Sequence, residues 1–178
     1  MTEKPAVNLF VIVSHGDTYS LDNLLVELDL EDNYLSGDLW PITQLTNIEN
    51  FYAFDNMLGG EKTSSPYANS TTADGSLVMS PILQALNLKI LDISTNYYFG
   101  SLPSSISSTM TRLEELYLED LELTGEITPD IFSLSKLEKI YLGMNYFSST
   151  LPVEVGNAQN LSESDRGICQ DLVSLHSS

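Results

Sequence analysis

Three polar residues near the amino terminus are of types that could act together in a nucleophilic enzyme. Ser14, His15 and Asp17 lie within the stretch SHGDTYSLD, and a serine activated by a histidine that an aspartate orients is the arrangement of many hydrolases. Here, however, the three are near neighbours in sequence, and no GxSxG sequence provides a nucleophile elbow. We therefore expect His15 to be a surface polar residue and not a catalytic base.

A second pair of reactive residue types lies near the carboxyl end. Cys169, the only cysteine, precedes His176 by seven residues, so a helix would place the two side chains on one face but two turns apart. That separation is too large for a direct thiol–imidazole contact, and no third group or oxyanion donor can be assigned. No Cys/His set has zinc spacing, no glycine loop could bind phosphate, and the acidic residues lack the EF-hand spacing. The sequence predicts no catalytic residue, no metal site and no cofactor, so we do not expect an enzyme.

The charge balance limits the partners. Among 178 residues, 25 acidic and seven basic side chains give a formal net charge of −18. Such a field repels nucleic acid and disfavours an anionic membrane surface. It attracts basic peptides, cationic surfaces or calcium, although solubility alone would explain the acidity equally well.

The amino acid sequence leaves the compartment open. The apolar run LFVIV, Leu9 to Val13, is too short for a membrane span and lacks the flanks of a signal peptide, so we expect no membrane span in this chain. A lone cysteine excludes an intrachain disulfide, which fits either a reducing compartment or a short secreted chain.

The elements that would position a binding site are set by a leucine pattern that fits neither a helix nor a strand throughout. In LVELDLEDNYLSGDL, residues 25–39, the leucines are separated by 3, 2, 5 and 4 positions, with an Asn and a Gly between them. The pattern LxxLxLxxNxLxG then recurs, and its Asn position falls at 33, 56, 96, 121 and 145, although residue 121 is Leu. The steps are 23, 40, 25 and 24, and the long step contains a Ser/Thr-rich insertion, residues 61–76, that we expect to be an exposed loop.

These repeats, roughly three quarters of the chain, resemble the plant-type leucine-rich repeat, LxxLxxLxLxxNxLxGxIPxxLGx. The resemblance implies an α/β fold: a right-handed solenoid of about five repeats with a parallel β-sheet on its concave face and irregular or 3₁₀ structure opposite. Stacked units bury leucines that one unit cannot bury alone. The family also builds a ladder of inward-pointing asparagines, here Asn33, Asn56, Asn96 and Asn145, which Leu121 interrupts. Gly in the later slot permits backbone angles that a side chain would obstruct.

The resemblance divides the chain into three parts. Residues 1–24 form a cap-like segment, residues 25–161 the leucine-rich repeats with the insertion 61–76, and residues 162–178 a tail. Family ectodomains normally have terminal caps with paired cysteines, and no such pair occurs here. We therefore expect a fragment of a longer receptor-like protein, because uncapped ends expose leucines.

The polar positions around each LxL should form columns on the concave face. Of twenty such positions nine are acidic and one is basic, and the middle column carries aromatic residues. Exposed aromatic side chains are good anchors for a ligand, although tyrosines packing on one another across a solvated sheet would give the same pattern. We predict ligand contacts at six positions: Tyr52, Phe54, Asp92, Tyr117, Glu119 and Tyr141. Tyr97 and Tyr98, beside the turn, are expected to be packing residues.

We therefore predict a non-enzymatic recognition module that binds a peptide or protein on its concave face. A basic ligand fits the charge, and a glycan is a further ligand class for this surface. The alternative is an intracellular scaffold or structural solenoid without a dedicated ligand site. The receptor-like interpretation implies an extracellular or cell-surface location, and the alternative implies a cytoplasmic one.

Overall fold

The computed structural model describes residues 25–37, 39, 42, 45–59, 87–148 and 151–161. The predicted cap-like segment 1–24, the insertion 61–76 and the tail 162–178 lie outside the described residues. So do the candidate catalytic residues near both ends of the chain.

Short strands dominate the described part of the chain. In chain order they are β1 (Glu27–Asp29), β2 (Ser36–Gly37), β3 (Asn50–Tyr52), β4 (Met57–Leu58), β5 (Ile90–Asp92), β6 (Phe99–Gly100), β7 (Glu115–Tyr117), β8 (Glu122–Gly125), β9 (Lys139–Tyr141) and β10 (Tyr146–Phe147). A one-turn helix α1, Ile106–Thr109, and two 3₁₀ helices, Pro129–Ser133 and Val153–Asn157, lie between strands or after the last one.

The odd-numbered strands form one parallel sheet in the order β1-β3-β5-β7-β9. Each comes from the xLx part of one repeat, so the sheet is a β-solenoid of about four turns, and the predicted fold class is confirmed. The central residue of each strand points into the core while its neighbours point outward, because side chains alternate across a strand. Phe51, Leu91 and Leu116 are fully buried, and Asn50, Tyr52, Ile90, Asp92, Glu115 and Tyr117 are half-buried. We call the outward face of this sheet the concave face.

The even-numbered strands form two smaller sheets, and we call the side of the solenoid that they cover the flank. β2 pairs with β4, and β8 pairs with both β6 and β10, all in parallel. The helix and the 3₁₀ helices stack on one another on the remaining side. Their apolar residues, among them Ile106, Ile131 and Phe132, join the same core as the strand leucines.

The predicted asparagine ladder joins successive units through their backbones. The Asn96 amide donates from Nδ2 to the Ala53 carbonyl of the preceding unit at 2.8 Å, and its Oδ1 accepts from the Leu58 N–H at 2.9 Å. Asn56 and Asn145 repeat this geometry, so each amide satisfies buried backbone groups that the turn would leave unpaired.

At the interrupted position the cross-unit bond comes from elsewhere. Leu121 is buried in the core and has no amide to offer. In the preceding repeat, the buried hydroxyl of Ser94 accepts a hydrogen bond from the Glu119 N–H of the next unit at 3.2 Å. A serine hydroxyl thus links the third and fourth units.

One residue of each unit has left-handed backbone geometry. It lies directly before the ladder position and has φ between 50° and 54°; the five residues are Asp32, Asp55, Thr95, Asp120 and Met144. Asp adopts this conformation more readily than other non-glycine residues because its short side chain bonds locally. At three of the nine acidic positions predicted on the concave face, the left-handed backbone conformation therefore explains the presence of Asp. The glycine slot also behaves as expected at Gly100 and Gly125, with φ of 99° and 79°.

Candidate functional site

Four of the six predicted contact residues lie in one row across the concave face. The strand register aligns Asp29 with Tyr52, Tyr52 with Asp92, Asp92 with Tyr117, and Tyr117 with Tyr141. Neighbouring parallel strands are about 4.8 Å apart, so the row presents an aromatic or acidic side chain at each step.

At one end of this row two tyrosines stack. The ring centroids of Tyr117 and Tyr141 are 5.0 Å apart with an interplanar angle of 14°. The Tyr117 hydroxyl donates to Glu115 Oε2 at 2.6 Å, and Lys139 Nζ lies 2.9 Å from Glu115 Oε1. Both rings remain half-buried, so a flat, partly exposed apolar surface lies above β7 and β9.

The negative charge of Glu115 is balanced by Lys139, and its carboxylate also accepts a hydrogen bond from Tyr117. Its partial burial raises its pKa, but the hydrogen bonds from Tyr117 and Lys139 and the charge of Lys139 lower the pKa more, so the net pKa lies below the ordinary value. Partial burial and the Glu115 carboxylate together raise the pKa of Tyr117 to about 12. The fourth and fifth units therefore carry a neutralised, aromatic site.

The first three units are different, because within the described residues the carboxylates on their concave face form no ion pair with a cation. Partial burial and then the charges of Asp29, Asp92 and Asp32 raise the pKa of Glu31. Tyr52 lies among the same carboxylates, and its pKa is raised first by desolvation and then by four acidic neighbours. Of these acids only Glu115, one of the four near Tyr52, forms an ion pair within the described part of the chain.

The remaining two predicted contacts share the next row but do not meet. Phe54 is 37% exposed, and Glu119 is half-buried two units further along. Ser94 occupies the position between them; it is buried, and its hydroxyl accepts a hydrogen bond from the Glu119 N–H. This row therefore offers two separate side chains and no continuous surface.

An ion-pair cluster at the entrance of the strands was not predicted. Glu49 binds Lys89 at 2.6 Å and Arg112 at 3.1 Å, and Arg112 also donates to the Asn87 side chain at 3.1 Å. These residues directly precede the strands or the first leucine of a unit, positions that the repeat pattern leaves free. The cluster joins three units and uses two of the four Lys and Arg residues in the described ranges.

The flank carries a second unpredicted feature. Tyr34, Met57, Tyr97 and Tyr146, each directly after a ladder asparagine, are 55%, 37%, 52% and 69% exposed. We call these four residues the flank stripe. The expectation that Tyr97 packs was wrong, whereas Tyr98 is buried in the core as expected. Alignment on the asparagine position would have revealed the stripe, since all four residues share the slot that follows it.

Neither metal-binding groups nor spanning helices occur in the described ranges. No set of three or more His, Cys, Asp or Glu residues is grouped there so that it could hold a metal ion. No helix there combines the length and apolar character that a membrane crossing needs.

Comparisons with known proteins agree with this geometry. A family model described as Leucine Rich Repeat matches residues 87–109. The crystal structure of a TDR receptor superposes on 77% of this chain with a TM-score of 0.62 and 24% identity, over 21% of its own chain. This chain contains leucine-rich repeats.

Other leucine-rich repeat proteins of known structure show the same similarity. The LRR ectodomain of the Arabidopsis receptor kinase HAESA, solved with a peptide hormone ligand, is 25% identical with a TM-score of 0.60, covering 75% of this chain and 20% of that one.

The leucine-rich repeat chain also matches curated relatives in sequence. Receptor-like proteins 39 and 41 of Arabidopsis thaliana are 34% and 32% identical over 58% and 83% of this chain. The adenylate cyclase of Schizosaccharomyces pombe is 30% identical over 79% of it. The chain spans only 10%, 24% and 9% of these relatives respectively.

Proposed function

We propose that this chain is a non-enzymatic recognition module that binds a peptide or protein on its concave face. The observation that carries the proposal is the stacked, half-buried pair Tyr117–Tyr141 beside a row of carboxylates. The similarity to receptor ectodomains, one of them solved with a peptide ligand, supports the same use of this surface. An extracellular or cell-surface location goes with that proposal.

The two halves of the concave face favour a ligand with two kinds of group. Over β7 and β9, Lys139 neutralises Glu115, and the stacked rings offer a flat surface to an apolar or planar group. Over β1, β3 and β5, uncompensated carboxylates favour a lysine or arginine. We therefore propose a peptide whose basic residue lies over the first three units and whose apolar residue lies on the tyrosine pair.

Binding assays with synthetic peptides test this function. A pool of fluorescein-labelled peptides, each with a basic and an apolar end, is titrated with the protein by fluorescence anisotropy at 50 and 500 mM NaCl. The double variant Tyr117→Ala/Tyr141→Ala should weaken binding about 100-fold, since a loss of about 1.4 kcal/mol for each aromatic anchor corresponds to tenfold per ring. Val153→Ala, which truncates an exposed apolar residue outside the concave face and the flank stripe, is the control.

The result of this assay shows whether the tyrosine pair binds the ligand or only packs within the sheet. Loss of binding only in the concave variant, with unchanged circular dichroism, supports the recognition site. Equal binding by both variants places the ligand elsewhere. Weaker binding at the higher salt concentration would assign a role to the carboxylates of the first three units.

A second candidate is a structural solenoid with no ligand of its own. The stacking of Tyr117 on Tyr141 supports it, because each ring already has an aromatic partner. The match to a small part of an adenylate cyclase also fits a repeat array that serves as one section of a larger protein. Failure of every peptide in the pool to bind the wild-type chain would favour this candidate.

A further inference from the structure

The flank stripe is a row of exposed apolar residues that the fold does not require. Its four members occupy the same slot in four units, and the equivalent residue of the remaining unit is Glu122, which is also exposed. The backbone around Glu122 keeps the pairing seen elsewhere, since Glu122 aligns with Phe99 as Met57 aligns with Ser36. A charged residue is therefore tolerated in this slot, and the aromatic residues have no structural cause there.

Exposed apolar side chains grouped on one surface usually mark an interaction site. Three members of the flank stripe, Tyr34, Met57 and Tyr97, come from three successive units and form its longer part. Glu122 separates them from Tyr146. In the last unit Met144, 72% exposed, extends the apolar surface beside Tyr146.

The border of the stripe is acidic in the first two units and at the interrupted position. The left-handed residue of each unit lies two residues before the stripe slot: it is Asp32 before Tyr34 and Asp55 before Met57, and Asp120 precedes Glu122. In the units of Tyr97 and Tyr146 it is Thr95 and Met144. The Lys and Arg residues of the described ranges occupy neither column. An apolar row edged by carboxylates is complementary to an apolar surface edged by cations.

We propose that the flank stripe is a docking surface for a protein partner whose contact segment presents apolar side chains bordered by lysine or arginine. A second copy of this chain does not fit, because the same carboxylates would then face each other across the interface. The surface is separate from the concave face, so it could be occupied while a peptide is bound there. The proposal does not depend on the concave face having a ligand.

Two defined peptides test the proposed chemistry. One alternates lysine with leucine over nine residues and the other alternates glutamate with leucine; both carry fluorescein and are titrated with the protein by anisotropy. The lysine peptide should bind and the glutamate peptide should bind at least 10-fold more weakly. Tyr97→Ser/Tyr146→Ser should weaken the lysine peptide at least 10-fold, whereas Val153→Ser, which changes an exposed apolar residue outside both surfaces, should leave it within twofold.

Two substitutions of Glu122 test the proposal through a gain of binding, which a misfolded variant would not show. Glu122→Tyr completes the row and should strengthen binding of the lysine peptide about threefold or more. Glu122→Gln removes the same charge without adding an aromatic ring, and it should not strengthen binding.

Three results would overturn the proposal. The first is binding that the concave variant abolishes and the flank variant does not, which would place the lysine peptide on the other face. The second is absence of binding by either peptide to the wild-type chain. The third is a concentration-dependent dimer in sedimentation experiments that disappears in Tyr97→Ser/Tyr146→Ser, which would make the stripe a contact between two copies.

Discussion

Replacement of Asn96 by leucine tests whether the ladder amides stabilise this solenoid. The change keeps a side chain of similar size, and Leu121 shows that leucine fits the equivalent slot. It leaves the Leu58 N–H without its acceptor at 2.9 Å and removes the amide donor from the Ile93 carbonyl at 3.0 Å, whereas the Ala53 carbonyl keeps a hydrogen bond from Asn56 at 3.2 Å. An unsatisfied buried backbone group costs about 1–3 kcal/mol, so the expected loss is about 2–5 kcal/mol.

Equilibrium unfolding in urea, followed by circular dichroism, measures this loss. For a chain of this size it corresponds to a fall in melting temperature of roughly 5–15 °C. Asn33→Leu is the matched control, since within the described residues the Asn33 amide donates only to its own turn, at Leu30 and Glu31. The Leu30 carbonyl also accepts from Asn56, so Asn33→Leu should cost less than about 1 kcal/mol.

The reasoning would be refuted if the two variants lost the same stability. It would also be refuted if Asn96→Leu cost less than about 1 kcal/mol, because the backbone groups would then be satisfied by relaxation or by water. The slope of the free energy against urea concentration should stay unchanged for both variants, which shows that the same surface is exposed on unfolding.

Four further predictions concern the turns and the tyrosine site. Gly59→Ala should destabilise the chain by more than about 2 kcal/mol in the same unfolding assay, because φ is +77° and a Cβ would lie 2.7 Å from Tyr98 Cδ1. Met144→Asn should stabilise it by about 1 kcal/mol, because asparagine adopts the left-handed conformation more readily; no gain would show that the turn is not strained. Titration of phenolate absorbance at 295 nm should lose a group near pH 12 in Tyr117→Phe, and a loss near pH 10 would contradict the hydrogen bond to Glu115. Because the folded pKa of Glu115 is lowered from 4.5, its stabilising contribution is complete above that pH and is lost as the pH falls through the folded value; Glu115→Gln should thus narrow the stability difference between pH 7 and pH 3.

The leucine and asparagine positions predicted the architecture because they are dictated by burial. Each xLx became a strand of one sheet, and Asn56, Asn96 and Asn145 bind the backbone groups assigned to them. The rows of the concave face followed from the same register, so the neighbours of Tyr52 could be named from the sequence. What the sequence could not supply was the contact of Tyr117 with Tyr141 and the compensation of Glu115 by Lys139, which depend on side-chain rotamers.

The burial of Tyr97 was predicted incorrectly because it occupies a position at which the repeat pattern specifies no residue type. Tyr97 and Tyr98 are adjacent and chemically identical, yet one is 52% exposed and the other 1%. The direction of the chain after the left-handed residue at Thr95 decides which of them points inward. Such a backbone conformation cannot be read from a threonine, because β-branched residues rarely adopt it.

The serine at position 94 has a consequence for how the solenoid opens. At the other boundaries the strand pairing is supplemented by a ladder amide that both donates and accepts. Between the third and fourth units the strands also pair, but a hydroxyl contact to the Glu119 N–H replaces the ladder amide. In a linear array, cooperativity depends on the coupling between neighbours. Amide exchange in the two units after this boundary should therefore report a separate, less protected block, and Ser94→Ala should widen the difference between the two blocks.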